Sequence, residues 1–219
     1  MRLTSRIIRY EFTPDSLRTK LEYCGTFTST GIQGWCRSPL CDRCRRYRAR
    51  WTAQAITGWT GSIIATHRLM AISATTSTYT DPADVLAEVD ARRRSLRRAV
   101  DHRQRHDDRW RDLQLHAVWM PRWRNSMWSA EAHGVAYLGR VGEVRFLDSL
   151  GDRHGLRLQA FPRAVISRDI HDLVLRSMTC AHGMADADDE GLVMMAAEID
   201  RRAGYKALLM RRGLQGGQP

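Results

Sequence analysis

The sequence predicts an α+β protein, an antiparallel sheet with helices packed on one face, preceded by a cysteine-rich segment. Three observations lead there. A strand-like run, a long helix and two further strand-like runs follow one another in that order, as such folds require. The long helix carries start and stop signals that fix its place. Four of the five cysteines bunch ahead of the first clear strand, marking 1–64 as a separate segment from a core at 65–213.

In chain order, "RLTSRIIRYEF" (2–12) reads as a first strand or an arm. A Gly/Ser/Thr-rich stretch at 25–34 leads into the cysteines, and from Pro39 to about Gly58 a helix is expected. "HRLMAISATTSTY" (67–79) is a strand. The run 80–110 is the clearest helix: Asp81 offers the N-cap, Pro82 suits the first turn, and acids lie early with arginines late, as the macrodipole prefers. Val85, Leu86, Val89, Leu96, Ala99 and Val100 form its apolar stripe.

"LQLHAVWM" (113–120) and "EAHGVAYLG" (131–139) read as paired strands joined by an aromatic and basic loop, "PRWRNSMWSA". "VGEVRFLDS" and "HGLRLQAFP" add shorter β-like pieces. Helices are expected at 167–183 and over 186–213, the latter broken at Gly204, and the tail 214–219 is expected to be disordered.

The chain carries 35 Lys+Arg against 24 Asp+Glu, a net charge of +11, and Lys20 and Lys206 are its only lysines. Arginine's planar fork matches phosphates and base edges, so the excess points to a nucleic-acid partner, DNA ahead of RNA. No apolar run reaches the ~20 residues of a membrane span, so no membrane partner is expected. The first residues lack the apolar stretch and cleavage site of a secretory signal, and the bunched cysteines suit metal binding in a reducing cytosol, so a cytoplasmic protein is expected. No phosphate-binding glycine loop, nucleophile elbow or zinc-protease motif is present.

Cys24, Cys36, Cys41 and Cys44 follow the spacing C-x11-C-x4-C-x2-C. The closing C-x2-C lets two thiolates converge on one ion, and four cysteines complete a tetrahedral zinc site. Zinc is thus the expected structural cofactor, with His67 able to replace Cys24 and metal-free buried thiols as the alternative. A site with four protein ligands is closed and does no chemistry. Arg37, Arg43, Arg45, Arg46, Arg48 and Arg50 would then project from a stapled scaffold toward phosphates, or form an ordinary solvated helix face.

Alternate residues of a strand share a face, so Glu131 and His133 in "WSAEAHGVAYLG" project together. A carboxylate and an imidazole so placed suit Mg²⁺ or Mn²⁺ with positions left for phosphate oxygens. Trp119, Arg122, Trp123, Arg124 and Trp128 beside them suit a single strand held by stacking and phosphate contacts; the other reading is tryptophans that cap the core.

The order of these elements resembles the HUH endonuclease superfamily, specifically the replication initiators of rolling-circle plasmids and phages. "LMAISATTST" followed by "DPADVLAEVDARRRSLRRAV" is similar to that family's Thr-rich strand and helix, and "WSAEAHGVAYL" stands where its His-hydrophobic-His strand stands, with Glu131 at the first histidine. Some of these initiators also begin with a cysteine-rich knuckle. The resemblance covers roughly 65–182 and implies an RRM-like or HUH-like core, a catalytic Mg²⁺ or Mn²⁺, and nicking of origin DNA through a 5′-phosphotyrosine. It also implies host replication proteins, or further copies of the chain, as partners.

One departure is plain. The family's tyrosine lies on a later helix, and "DIHDLVLRSMTCAHG" contains neither tyrosine nor lysine. Tyr205 beside Lys206 is the downstream substitute, although a structural tyrosine is the other reading of it. Tyr137 reads as a sheet aromatic. Two rival functions stay open on sequence alone: a non-catalytic DNA- or RNA-binding protein, and a subunit of a larger nucleoprotein assembly.

Overall fold

A computed structural model describes residues 3–27, 29–36, 38–61, 69–160, 172, 182–202 and 209–212. Their elements are helices α1 (Leu3–Arg9), α2 (Asp15–Glu22) and α3 (Asp42–Gly61), then strand β1 (Leu69–Thr75) and helix α4 (Pro82–His106). Strands β2 (Gln114–Arg124) and β3 (Met127–Tyr137) follow, then a continuous helical segment α5 built from Glu143–Phe146, Leu147–Gly151 and Asp152–His154. Strand β4 (Arg157–Ala160), helices α6 (His182–Ala185) and α7 (Asp189–Arg201) and strand β5 (Leu209–Arg212) complete the order.

The fold is α+β, as expected. Among the described residues five strands form one sheet in the order β4-β1-β3-β2-β5, every pairing antiparallel. Four of them, with α4 and α5, trace β-α-β-β-α-β with β3 inside the sheet. Along β3, buried Trp128, Ala130 and Ala132 alternate with half-buried Ser129, Glu131 and His133. The even-numbered side faces the helix layer: α4 contributes Val85, Leu86, Val89, Leu96 and Val100, and α7 contributes Leu192, Met195 and Ile199.

Helix α4 forms where its signals place it, the Asp81 carboxylate accepting from Ala83 N–H at 2.7 Å. Arg202 ties α7 to α4 by its ion pair with Asp90, 3.1 Å. Arg6 joins α1 to the start of α7, donating to Asp189 and to the Ala185 carbonyl.

Four expectations are corrected. Residues 3–9 are a helix and not a strand; Leu3 and Ile7, four apart, are both buried, which is a helical stripe too short to stand out. The loop expected at 121–130 is a tight hairpin. Asn125 and Ser126 adopt φ of 51° and 59°, the left-handed pair a type I′ turn demands, so both strands continue almost to the tip.

The third correction falls on "VGEVRFLDS" (141–149), which is helical from Glu143 and buries Phe146, with Leu150 buried just after it. The fourth falls on the end of the chain, where Leu209–Arg212 adds a strand to β2 instead of extending a helix. The expected helix at 167–183 and the tail at 214–219 lie almost wholly outside the described residues.

Pro121 sits inside β2 without orphaning a partner. Ala130, opposite it, turns its backbone groups toward Thr76: Thr76 N–H donates to the Ala130 carbonyl at 2.9 Å, and Ala130 N–H donates to Thr76 Oγ1 at 2.8 Å. Among the described residues no helix is long and apolar enough to cross a membrane.

Candidate functional site

The cysteine knuckle is assembled from three short pieces. Cys24 follows the end of α2, and Cys36 closes a small hairpin in which Gly25 N–H donates to the Gly34 carbonyl, Gly34 N–H donates to the Thr26 carbonyl and Phe27 bridges Gln33. Cys41 and Cys44 lie at the start of α3. The four sulfurs lie within 4.8 Å of one another and all four residues are buried. Nearest separations are 3.3 Å for Cys24–Cys44 and 3.5 Å for both Cys36–Cys44 and Cys41–Cys24.

Those separations are too long for a disulfide and close to the ~3.8 Å between sulfurs that tetrahedral Zn–S bonds of ~2.3 Å require. The residues therefore fit a metal ion, and a set of four thiolates suits zinc. Hydrogen bonds from Cys36 and then Cys44 hold the Cys41 sulfur well below the ordinary thiol range. Cys36 is pushed up as the donor to Cys41 and Cys44, with burial adding to it. One thiolate is thus already favoured at the position just ahead of α3.

The arginines of this segment divide. Arg46 and Arg50 are exposed and Arg48 is half-buried. Arg45 is turned inward at 9% exposure, its guanidinium 2.6 Å from Asp42, so it is removed from the phosphate-facing set. Burial lowers its pKa, with the Asp42 charge opposing. Arg43 reaches back to the Cys24 carbonyl. Arg37 and His67 lie outside the described residues. Trp35 and Tyr47, both exposed, stack at 5.0 Å between ring centroids beside Arg46 and Arg50.

On the sheet, Glu131 and His133 do share a face at the centre of β3. Glu131 Oε2 lies 3.3 Å from His133 Nε2. Thr75 and Ser73 of β1 pair with them on one side, Met120 and Val118 of β2 on the other. Among the described residues no further His, Cys, Asp or Glu joins them to make a three-ligand set.

A third group is present that spacing did not reveal. Arg122 projects from β2 onto the same face and places Nε 2.9 Å from Glu131 Oε2. Helix α6 lies over its stem: a Cβ on Gly183 would fall 2.0 Å from Arg122 Cδ. The cluster is thus an acid flanked by an imidazole and a guanidinium, both on one carboxylate oxygen.

The tryptophans are on the other side. Trp123 pairs directly with Trp128, and Trp119 with Ala132, which puts all three toward the helix layer. Trp119 is 3% and Trp128 1% exposed, and Trp123 tilts onto Trp128 at 4.8 Å. The expected stacking loop is therefore corrected: these rings serve the core, and Arg122 and exposed Arg124 alone remain on the Glu131 side. Tyr205 and Lys206 lie outside the described residues. No protein-family model, no curated protein and no solved structure matches this chain.

Proposed function

We propose that the protein is a DNA-binding replication-initiator-like protein that nicks single-stranded origin DNA by metal-dependent transesterification onto a tyrosine. The observation that carries the reading is Glu131 and His133 side by side on the central strand of a β-α-β-β-α-β sheet. That is the place and the topology an RRM-like or HUH-like nickase core would give them.

Glu131 and His133 would hold the cation, Mg²⁺ or Mn²⁺, which when bound would polarise the scissile phosphodiester. Arg122, beside the same carboxylate, would offer that phosphate a bidentate donor on leaving Glu131. The tyrosine hydroxyl, assigned to Tyr205 with Lys206 beside it, attacks phosphorus. A P–O bond to tyrosine forms as the bond to the 3′-oxygen breaks; the phenol gives up its proton to water and the departing 3′-oxygen takes one up, leaving a free hydroxyl with no net change in protons. In this reading zinc in the four-cysteine knuckle is structural and seats the exposed arginines of α3 against DNA.

One observation favours a second reading, a zinc-stabilised DNA- or RNA-binding protein without catalysis. Arg122 already neutralises Glu131, an arrangement that an inert binding surface also needs. Incubation with Mn²⁺ and single-stranded DNA separates the two. A covalent adduct on a denaturing gel, lost in Glu131→Gln, supports nicking; tight binding with intact DNA under every divalent metal supports the second reading.

A further inference from the structure

A groove of about 620 Å³ opens between α4 and α5 and is lined by Ser95, Arg98, His102, Arg103, Ser149 and Arg153. It belongs to the helix layer, across the sheet from Glu131. The cations converge from two separate elements, and no carboxylate is among its lining residues.

Position explains part of this. Cations are favoured near a helix C-terminus, so Arg103 suits the end of α4. Arg153, in the last turn of α5, is favoured in the same way, so what calls for a reason is that the two helix ends meet at one opening. Among the described residues Arg98, Arg103 and Arg153 have no ion pair, while most arginines around them do: Arg92 with Glu88, Arg93 with Asp90, Arg111 with Asp108, Arg145 with Asp107. Arg103 is instead held over the buried Trp110 ring, 5.8 Å from its centroid, a contact that orients the guanidinium without cancelling its charge. Three uncompensated guanidinium groups with two hydroxyls and an imidazole make a surface for phosphate oxygens.

We infer that this groove binds the phosphodiester backbone of a nucleic-acid strand, as an anchoring contact separate from the sheet face. A strand fits it better than a free anion. The groove is open, its arginines are exposed, and Arg98 and Arg103 stand roughly 7.5 Å apart along the helix axis, a span for successive phosphates and not for one. The inference shares with the proposed function only its nucleic-acid partner.

The test measures binding of a fluorescent single-stranded oligonucleotide by the full chain across a salt series, without divalent metal. The variant is R98A/R103A/R153A, with circular dichroism to show that the fold is kept. The control is R9A/R94A/R105A, which removes the same charge from exposed positions outside the groove. Three lost phosphate contacts should make the slope of log K against log salt shallower by about 2 in the groove variant, and by less than half of that in the control. Equal changes in the two variants, or no change in the first, would overturn the inference. So would displacement of the oligonucleotide from the groove by millimolar inorganic phosphate at constant ionic strength, which would make it a small-anion site. Because no cleavage is read, failure here leaves the nicking reading untouched, and failure of nicking leaves the groove.

Discussion

Arg122 Nε stands 2.9 Å from Glu131 Oε2, the same oxygen that lies 3.3 Å from His133 Nε2. A guanidinium so close competes with any cation for that oxygen, so under the proposed function the arginine would set how readily the acid accepts a metal. Both side chains are mostly buried, and the contact is an ion pair in which Arg122 Nε is not aligned for a hydrogen bond.

Replacing the arginine should therefore strengthen metal binding. Arg122→Gln is predicted to tighten Mn²⁺ binding about tenfold by titration calorimetry, the equivalent of ~1.4 kcal/mol. Glu131→Gln should abolish it. Unchanged affinity in Arg122→Gln would mean that the pair does not govern the site.

The knuckle makes an independent prediction. Purified reduced protein should carry about one zinc per chain, and Cys44→Ser should lose it. Chelation should lower the melting temperature and release the Trp35–Tyr47 stack, read as a change in tryptophan fluorescence, because metal binding and local folding are one event. Identical melting with and without chelator would remove the metal from the fold.

Gly134 is fixed by its neighbour strand. A Cβ there would lie 1.9 Å from the His116 carbonyl oxygen and 2.6 Å from Ala117 Cα, and backbone cannot yield as a side chain does. Gly134→Ala is expected to cost about 3 kcal/mol, at the upper end for overpacking, and to lower melting by roughly 6–12 °C. A melting point within a degree or so of the parent would show that β2 and β3 are not so tightly apposed.

His154 gives a pH dependence with a definite sign. Burial first, then the charges of Arg153 and Arg92, hold its pKa below the ordinary histidine value. The unfolded chain then takes up a proton near pH 6.5 that the folded chain refuses, so stability is full above that pH and falls as pH drops toward the lowered folded pKa. Denaturant midpoints measured from pH 7.5 downward should fall less steeply in His154→Phe; parallel curves would contradict the assignment.

How much of this was legible in the sequence depended on range. Helix α4 was readable because Asp81, Pro82 and a regular apolar stripe all act locally, and the four cysteines were readable because their spacing alone implies convergence. The β2–β3 turn was not, since Asn125–Ser126 lacks the glycine that usually marks a type I′ hairpin. Without the turn the two readings of the three tryptophans stay open, and the burial of Trp119 and Trp128 decides for the one in which they cap the core. Arg122 is legible as a candidate phosphate contact, but its meeting with Glu131 depends on cross-strand register and not on spacing. Likewise "LMRR" (209–212) is a good helix former by composition, and only its pairing with β2 makes it a strand.

The most direct measurement of the nicking reading is mass spectrometry of the protein after reaction with Mn²⁺ and single-stranded origin DNA, followed by nuclease and protease digestion. The predicted result is a peptide containing Tyr205 that carries a 5′-linked nucleotide, absent in Tyr205→Phe and in Glu131→Gln. DNA recovered bound but uncut, with no nucleotide on any tyrosine peptide under Mg²⁺ or Mn²⁺, would contradict it and leave a nucleic-acid-binding protein whose sheet acid is held shut by Arg122.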